Sequence, residues 1–284
     1  MSAAYRCGVV ALLGRPNAGK STLLNALLGE KISITAARAQ TTRGRLLGVL
    51  TRDDAQLLLY DTPGVHGSER RFNLAMTESA LRAAEDADVR LLLFEAGASW
   101  GPIEERLAQL PGPLLLVRTK CDLGSPRPVP DASRFDALIE VSATRRAGIA
   151  ELLENIVSRL PEGPPLYPAD FLTDASMRFL AAEQIREVVF EQLRDELPYA
   201  VAVEIENWDE GDAEIRIRAN LLVERESQKG ILVGAGGRTL KRLGTEARRR
   251  LAQRTGKIVH LNLWVKTDRN WARRPRRIRQ LGYL

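Results

Sequence analysis

Along the first 160 residues, apolar and polar positions alternate between short strand-like runs and longer amphipathic stretches. The run Cys7-Gly8-Val9-Val10-Ala11-Leu12-Leu13 has no polar break, as in a strand buried on both faces. Further strands are predicted at 44–50, Gln56–Tyr60, Val89–Phe94, Pro113–Arg118 and Leu138–Val141. Helices are predicted at 20–28, 72–85, 102–110 and 147–160. Strands alternating with helices indicate an α/β domain with a mostly parallel sheet covered on both faces. Pro161-Glu162-Gly163-Pro164-Pro165-Leu166-Tyr167-Pro168 interrupts the pattern, and four prolines in eight residues read as a stiff linker. The chain is therefore divided into a first domain over 1–163, a linker over 164–172 and a second domain over 173–284. Beyond the linker, 175–194 has helical periodicity and Val201–Ile205 and Ala213–Leu221 alternate as strands. A short helix (Gln228–Val233), the turn Gly234-Ala235-Gly236-Gly237, a helix over 238–254 and a strand over Ile258–Val265 complete an α-β-β-α-α-β order. There is no internal repeat and no low-complexity tract.

At 284 residues the chain is long enough for two cores, and 44% hydrophobic with 27% charged residues is an ordinary globular balance. Cys7 and Cys121 make no disulfide framework, which fits a reducing, cytosolic setting. No apolar stretch approaches membrane-spanning length, residues 1–6 are too short for a signal peptide, and His66 and His260 are too few for a histidine-rich metal site. Net charge sharpens the division into domains. Residues 225–284 hold 17 Lys and Arg against three Asp and Glu, a net +14, whereas 166–224 hold five against 14, a net −9. Basic charge concentrated in this way predicts a polyanionic partner, nucleic acid first. A solvated arginine-rich surface is the plain alternative, but it does not account for the scarcity of acids in the same 60 residues.

The chemistry sits in the loops after the predicted strands. Gly14-Arg15-Pro16-Asn17-Ala18-Gly19-Lys20-Ser21, followed by Thr22, spells G-x-x-x-x-G-K-S between a strand and a helix. Such a loop turns backbone N–H groups and a helix N-terminus toward phosphates, with Lys20 on the β/γ-phosphates and Ser21 on Mg²⁺. In Asp61-Thr62-Pro63-Gly64-Val65, Asp61 is placed to hold Mg²⁺ and the Gly64 N–H to meet the γ-phosphate and sense its loss. Thr119-Lys120-Cys121-Asp122 fits the pattern in which a carboxylate accepts from guanine N1–H and the N2 amine. Adenine leaves that carboxylate unpaired, so the loop selects GTP over ATP. Thr119 stands where Asn is usual and is expected to brace the loop less well. Ser142-Ala143 matches the position whose backbone N–H contacts guanine O6. In Ala39-Gln40-Thr41-Thr42-Arg43 a threonine can close onto Mg²⁺ when the γ-phosphate is present. Thr41 and Thr42 both qualify, with Thr42 preferred. The expected metal ligands are Ser21, Thr42 and Asp61.

Taken together, Gly14–Ser21, Gln40–Arg43, Asp61–Gly64, Thr119–Asp122 and Ser142-Ala143 resemble the Era family of bacterial GTPases. Leu160–Pro168, Glu196-Leu197-Pro198-Tyr199, Leu263-Trp264-Val265-Lys266, Trp271 and Leu281-Gly282-Tyr283 extend the resemblance over essentially the whole chain. It implies a Ras-like P-loop GTPase domain followed by an α+β type-2 KH domain. It further implies a cytoplasmic, monomeric enzyme that binds the 3′ region of small-subunit (16S) ribosomal RNA and assists 30S assembly, with peripheral attachment to the inner face of the cell membrane as an additional expectation. Val65 occupies the place of the water-orienting Gln of Ras-like enzymes, so unaided hydrolysis is expected to be slow. Asn17 is similar to the asparagine through which related GTPases recruit K⁺, and a simple loop brace is the equal alternative. The residues expected to act in hydrolysis are Lys20, Asn17, Thr42 and Gly64.

Gly234-Ala235-Gly236-Gly237 fits the G-x-x-G turn by which KH domains clamp about four nucleotides. Lys229, Arg238, Lys241 and Arg242 surround it and stand in for the basic residue that Ala235 replaces. On the following helix Arg248 and Arg249 extend the charge, and in the arginine-rich tail Trp271 reads as an anchor to the domain core. Two functions remain open: a GTP-driven switch on RNA, and a constitutive RNA-binding protein with a mainly structural nucleotide pocket. A tRNA-modifying GTPase is disfavoured by the KH pattern and by the lack of a catalytic cysteine or metal cluster there.

Overall fold

The computed structural model describes residues 4–35, 42–66 and 71–283. The segments over 36–41 and 67–70, including Gln40 and Thr41, lie outside the described residues. Two compact units divide the chain, one ending at Asp174 and the other covering Ala175–Tyr283.

In the first unit, β1 (Arg6–Leu13) runs through the middle of a six-stranded sheet. The other strands are β2 (Leu46–Thr51), β3 (Ala55–Asp61), β4 (Val89–Glu95), β5 (Leu114–Thr119) and β6 (Ala137–Glu140), in the order β2-β3-β1-β4-β5-β6. Only β2 is antiparallel to its neighbour. Helices α1 (Lys20–Leu28), α2 (Arg71–Glu85) and α3 (Pro102–Leu107) lie in the connections between strands, and α4 (Ile149–Val157) follows β6. Val10, Leu12, Leu57, Leu91 and Leu116 are fully buried, as expected for strands covered on both faces. Register sets where the motifs emerge. Leu12 pairs with Asp61 and Glu95 with Thr119, so the loops after β1, β3 and β5 leave the sheet at one carboxyl edge.

The proline-rich tract is held along this sheet. Cys7 N donates to Pro161 O at 3.1 Å and Gly163 N to Tyr5 O at 3.0 Å. Gln56, with no exposed surface, accepts from Leu166 N (2.7 Å) and Tyr167 N (2.9 Å) and donates to Tyr167 O (2.9 Å). Val49 N then donates to Leu172 O at 2.8 Å, and the Thr173 hydroxyl to Leu47 O at 2.6 Å. Proline content alone suggests a stiff linker, and in the fold a buried amide on β3 meets the polar backbone groups the tract would otherwise leave to water.

The second unit opens with α5 (Met177–Gln192), capped by the Ser176 hydroxyl accepting from Phe179 N, and a short α6 (Leu197–Ala200). A sheet of β7 (Ala202–Glu210), β8 (Glu214–Val223) and β9 (Ile258–Thr267) follows, β7–β8 antiparallel and β8–β9 parallel. Between β8 and β9 lie α7 (Glu226–Val233), the glycine turn and α8 (Arg238–Thr255). Apolar positions of α5 and α8 bury Val188, Val189, Leu243 and Leu251 against Val203, Ile217 and Leu221. A tail helix α9 (Pro275–Gln280), hidden from the periodicity by its arginines, folds back on this unit. Trp271 is 1% exposed, with its indole N–H on Ala200 O at 3.2 Å, the anchoring role expected for it.

Candidate functional site

The loop after β1 reaches its shape through backbone conformations that side chains resist. Gly14 has φ +143° and a Cβ there would lie 2.5 Å from Leu93 O, while Asn17 and Gly19 also have positive φ, +66° and +93°. Gly64 comes so close that a Cβ would lie 2.6 Å from Pro16 N. α1 starts at Lys20 with no side-chain cap, leaving its first N–H groups to an anion. Lys20, 6% exposed, donates to Gly14 O (3.1 Å) and Arg15 O (2.9 Å). Burial lowers its pKa to about 8, with Asp61 opposing the shift. Incoming phosphates would raise that pKa again.

A cavity of about 530 Å³ opens over this loop, lined there by Pro16, Asn17, Gly19, Lys20, Ser21 and Thr22. Thr42 and Gly64 line it from the loops preceding β2 and following β3, and Thr119, Lys120, Asp122 and Ala143 from those after β5 and β6. Four side chains expected at the nucleotide turn elsewhere. Arg15 pairs with the buried carboxylate of Glu104 on α3. The Thr62 hydroxyl donates to Leu12 O at 2.6 Å, and Cys121 Sγ lies 3.2 Å from Arg118 O. Val65 is 1% exposed in a core with Ala11, Leu13 and Phe94, and only its N–H returns to the loop, donating to Gly14 O at 3.1 Å. Motif membership there describes backbone geometry, and these side chains serve the sheet behind it. Gly14 and Ala18 likewise contribute through backbone placement, Ala18 O accepting from Thr119, while Ser142 N donates to Ala147 O at 3.1 Å.

Beside Lys20, hydroxyls gather on one buried carboxylate. Asp61 Oδ2 accepts from Ser21 (2.6 Å), Ser33 (2.7 Å) and Thr42 (3.2 Å), and Ser21 Oγ and Thr42 Oγ1 are 2.7 Å apart. Burial pushes the Asp61 carboxyl up, against the three hydroxyls and Lys20. Asp61 Oδ1 is buried with no hydrogen-bond partner among the described residues. Two hydroxyl oxygens and a carboxylate with spare acceptor capacity form a hard-oxygen set suited to Mg²⁺ completed by phosphate oxygens.

Across the cavity, Asp122 is 13% exposed, and a hydrogen bond from Ser142 holds its carboxyl below the usual range. It is therefore an ionised acceptor at neutral pH. Lys120, at φ +57°, ties its ammonium to Glu95 at 2.8 Å. The Thr119 hydroxyl donates to Ala18 O at 2.8 Å, joining the base loop to the phosphate loop. At the position where weaker bracing is expected, this hydroxyl supplies a bond between the two loops.

In the second unit the glycine turn has φ +72° at Gly234, +59° at Gly236 and +76° at Gly237. A Cβ on Gly234 would overlap the Thr239 hydroxyl, whereas Gly236 and Gly237 face open space. Arg238, Lys241 and Arg242 line a shallow depression with Gln192, Thr245 and Glu246, and Arg242 Nε donates to Gln192 at 3.0 Å. Ala235 has no side chain to extend, and Lys229 lies 3.8 Å from Glu226. Not all the charge of α8 faces outward to a partner. Glu246 pairs with Arg249 and Arg250, each at 2.6 Å, and Arg250 also reaches Glu191 at 2.5 Å.

Residues 9–120 match the family described as 50S ribosome-binding GTPase, and 196–272 match the KH domain family. GTPase Era of Bordetella avium is 44% identical over 296 residues, covering 99% of both chains. GTPase Era of Lacticaseibacillus paracasei is 40% identical over 98% of this chain and 97% of its own. The chain belongs to the GTPase Era family. An Era solved with MgGDPNP and nucleotides 1506–1542 of 16S ribosomal RNA is 38% identical, with a TM-score of 0.93 over 98% of this chain and 99% of that one. An Aquifex aeolicus Era variant bound to GDP·AlF4⁻ is 37% identical, with a TM-score of 0.90 and the same coverage.

Within this Era fold, several residues at the site escape sequence reasoning. Thr35, Leu123 and Thr144 line the cavity beside the expected residues, and of these Leu123 and Thr144 directly follow a motif. Leu123 is 75% exposed, an apolar side chain beside the base loop. His66 Nε2 is buried without a partner among the described residues, and burial and then Lys20 lower its pKa. Ser33 breaks the apolar alternation of Ile32-Ser33-Ile34, the one sequence signal that could have marked it.

Proposed function

We propose that this Era family GTPase is a switch acting on the 3′ segment of small-subunit ribosomal RNA, assisting assembly of the 30S subunit. The observation that carries the reading is a single cavity lined both by Lys20 and Ser21 and by Asp122, so that phosphate and guanine recognition belong to one ligand. Support for the RNA half comes from the relative solved with MgGDPNP and 16S nucleotides, and from the glycine turn beside Arg238, Lys241 and Arg242. Lys20 supplies positive charge to the β- and γ-phosphates, and the Gly64 N–H donates to the γ-phosphate and loses that partner on hydrolysis. Mg²⁺, held by Ser21, Thr42 and Asp61, supplies neutralisation of phosphate charge when bound. Thr42 engages Mg²⁺ when the γ-phosphate is present and releases it after hydrolysis. With Val65 committed to the core, no side chain at that position orients the attacking water. A monovalent cation recruited by Asn17 is proposed to compensate, which predicts faster turnover in K⁺ than in Na⁺ at equal ionic strength.

The deciding experiment measures affinity for a 16S 3′-end oligonucleotide with GDP and with a non-hydrolysable GTP analogue. The switch requires different affinities in the two states. Equal affinities would return the protein to the class of constitutive RNA binders with a structural nucleotide pocket.

A further inference from the structure

Asp61 Oδ2 collects three hydroxyls of unequal circumstance. Ser21 and Thr42 line the cavity, and a cation there would engage their oxygens. Ser33 does not line it and is 5% exposed. Its backbone is fixed on both sides by one side chain: Asn25 Oδ1 accepts from Ile32 N and Ser33 N at 3.0 Å each, and Asn25 Nδ2 donates to Ser33 O at 2.8 Å. Asn25 lies four residues beyond Ser21 on α1, on the same side of the helix. The helix that presents Ser21 to the cavity thus also holds Ser33 behind the carboxylate. Of the three hydroxyl partners of Asp61, Ser33 is the one that does not line the cavity.

We propose that Ser33 is a positioning residue that orients the Asp61 carboxylate for a divalent cation, and that Asn25 sets the position of Ser33. The Ser33 hydroxyl anchors Oδ2 and so fixes rotation of the carboxylate, directing the unpartnered Oδ1. Groups that orient metal ligands from behind typically account for a tenfold or greater part of metal affinity. This role rests on the guanine-nucleotide and Mg²⁺ reading of the cavity.

The test follows release of a fluorescent GDP derivative from the full chain across a Mg²⁺ titration and in excess EDTA. For Ser33→Ala, the Mg²⁺ concentration giving half-maximal slowing of release rises roughly tenfold, while the rate in EDTA equals that of the unaltered chain. Asn25→Ala shifts the titration in the same direction, and the double variant adds little to Ser33→Ala, because both act through one hydroxyl. A Ser33→Ala titration coincident with that of the unaltered chain overturns the role. So does a change in release that is equal with and without Mg²⁺, which would mark Ser33 as part of the general architecture. Release from the unaltered chain that ignores Mg²⁺ would instead overturn the cation site itself, and the role of Ser33 with it.

Discussion

In the proposed function, base choice rests on the carboxylate of Asp122, kept ionised by Ser142 and flanked by Arg145 Nε at 3.7 Å. Asp122→Asn exchanges an acceptor for a donor where the guanine N2 amine needs an acceptor. GTP affinity should fall about 100-fold, with xanthosine triphosphate, which carries a carbonyl at that position, binding better than GTP. Fluorescence titration with both nucleotides checks this. At the phosphate end, bound nucleotide is expected to change the protonation of Lys20. Its pKa falls from 10.5 to about 8 in the nucleotide-free fold. Between those values the unfolded chain binds more protons than the folded one, so the contribution of Lys20 to stability rises with pH across that window. Nucleotide phosphates reverse the shift. Calorimetry in buffers of different ionisation enthalpy should find about half a proton taken up per GDP at pH 8, and almost none at pH 6, where Lys20 is already charged.

At the scale of elements, the loops read from sequence are those whose geometry is set within a few residues. Gly14–Ser21 needs positive φ at Gly14, Asn17 and Gly19, and the motif supplies two glycines and the asparagine that tolerate it. Gly234 illustrates the same rule with a sharper cost. Gly234→Ala combines φ +72° with overlap on the Thr239 hydroxyl and should destabilise the second unit by about 2 kcal/mol. Gly236→Ala, at φ +59° with open space around it, should cost about 1 kcal/mol. Denaturant unfolding of both variants separates overlap from backbone strain, and Gly234→Ala should also weaken RNA binding. The proline-rich tract was not legible in this way. Its hold on β3 depends on Gln56, about 110 residues earlier, and a buried glutamine inside Ala55–Asp61 gives no sign of its partner.

For the molecule as a whole, the +14 of the last 60 residues overstates the charge available to a polyanionic partner. The acidic stretch before it answers part of that charge: Arg277 pairs with Glu204 at 2.7 Å, Lys266 with Glu206 at 3.0 Å, Lys257 with Glu210 at 2.8 Å and Arg250 with Glu191. Arg238, Lys241 and Arg242 near the glycine turn, and Arg248 farther along α8, remain exposed without acidic partners among the described residues. Four phosphate contacts to a single strand predict a slope of about −3 for log affinity against log salt. Lys241→Ala should reduce that slope by about 0.7 while leaving sequence preference unchanged. Filter binding or anisotropy at several salt concentrations measures both. Among the described residues no helix is long and apolar enough to cross a membrane.

By itself the sequence determined the nucleotide, the cation class and the order of the two folds, because each depends on contiguous motifs whose backbone shape is local. Tertiary structure decided which motif side chains reach the ligand. Val65, Thr62 and Cys121 turn to the sheet, whereas Leu123 and Thr35 line the cavity. It also decided the company of Asp61, the attachment of the proline tract and the cancellation of half-hidden charge. These join residues tens of positions apart, and burial, which sets their strength, exists only once the chain has folded.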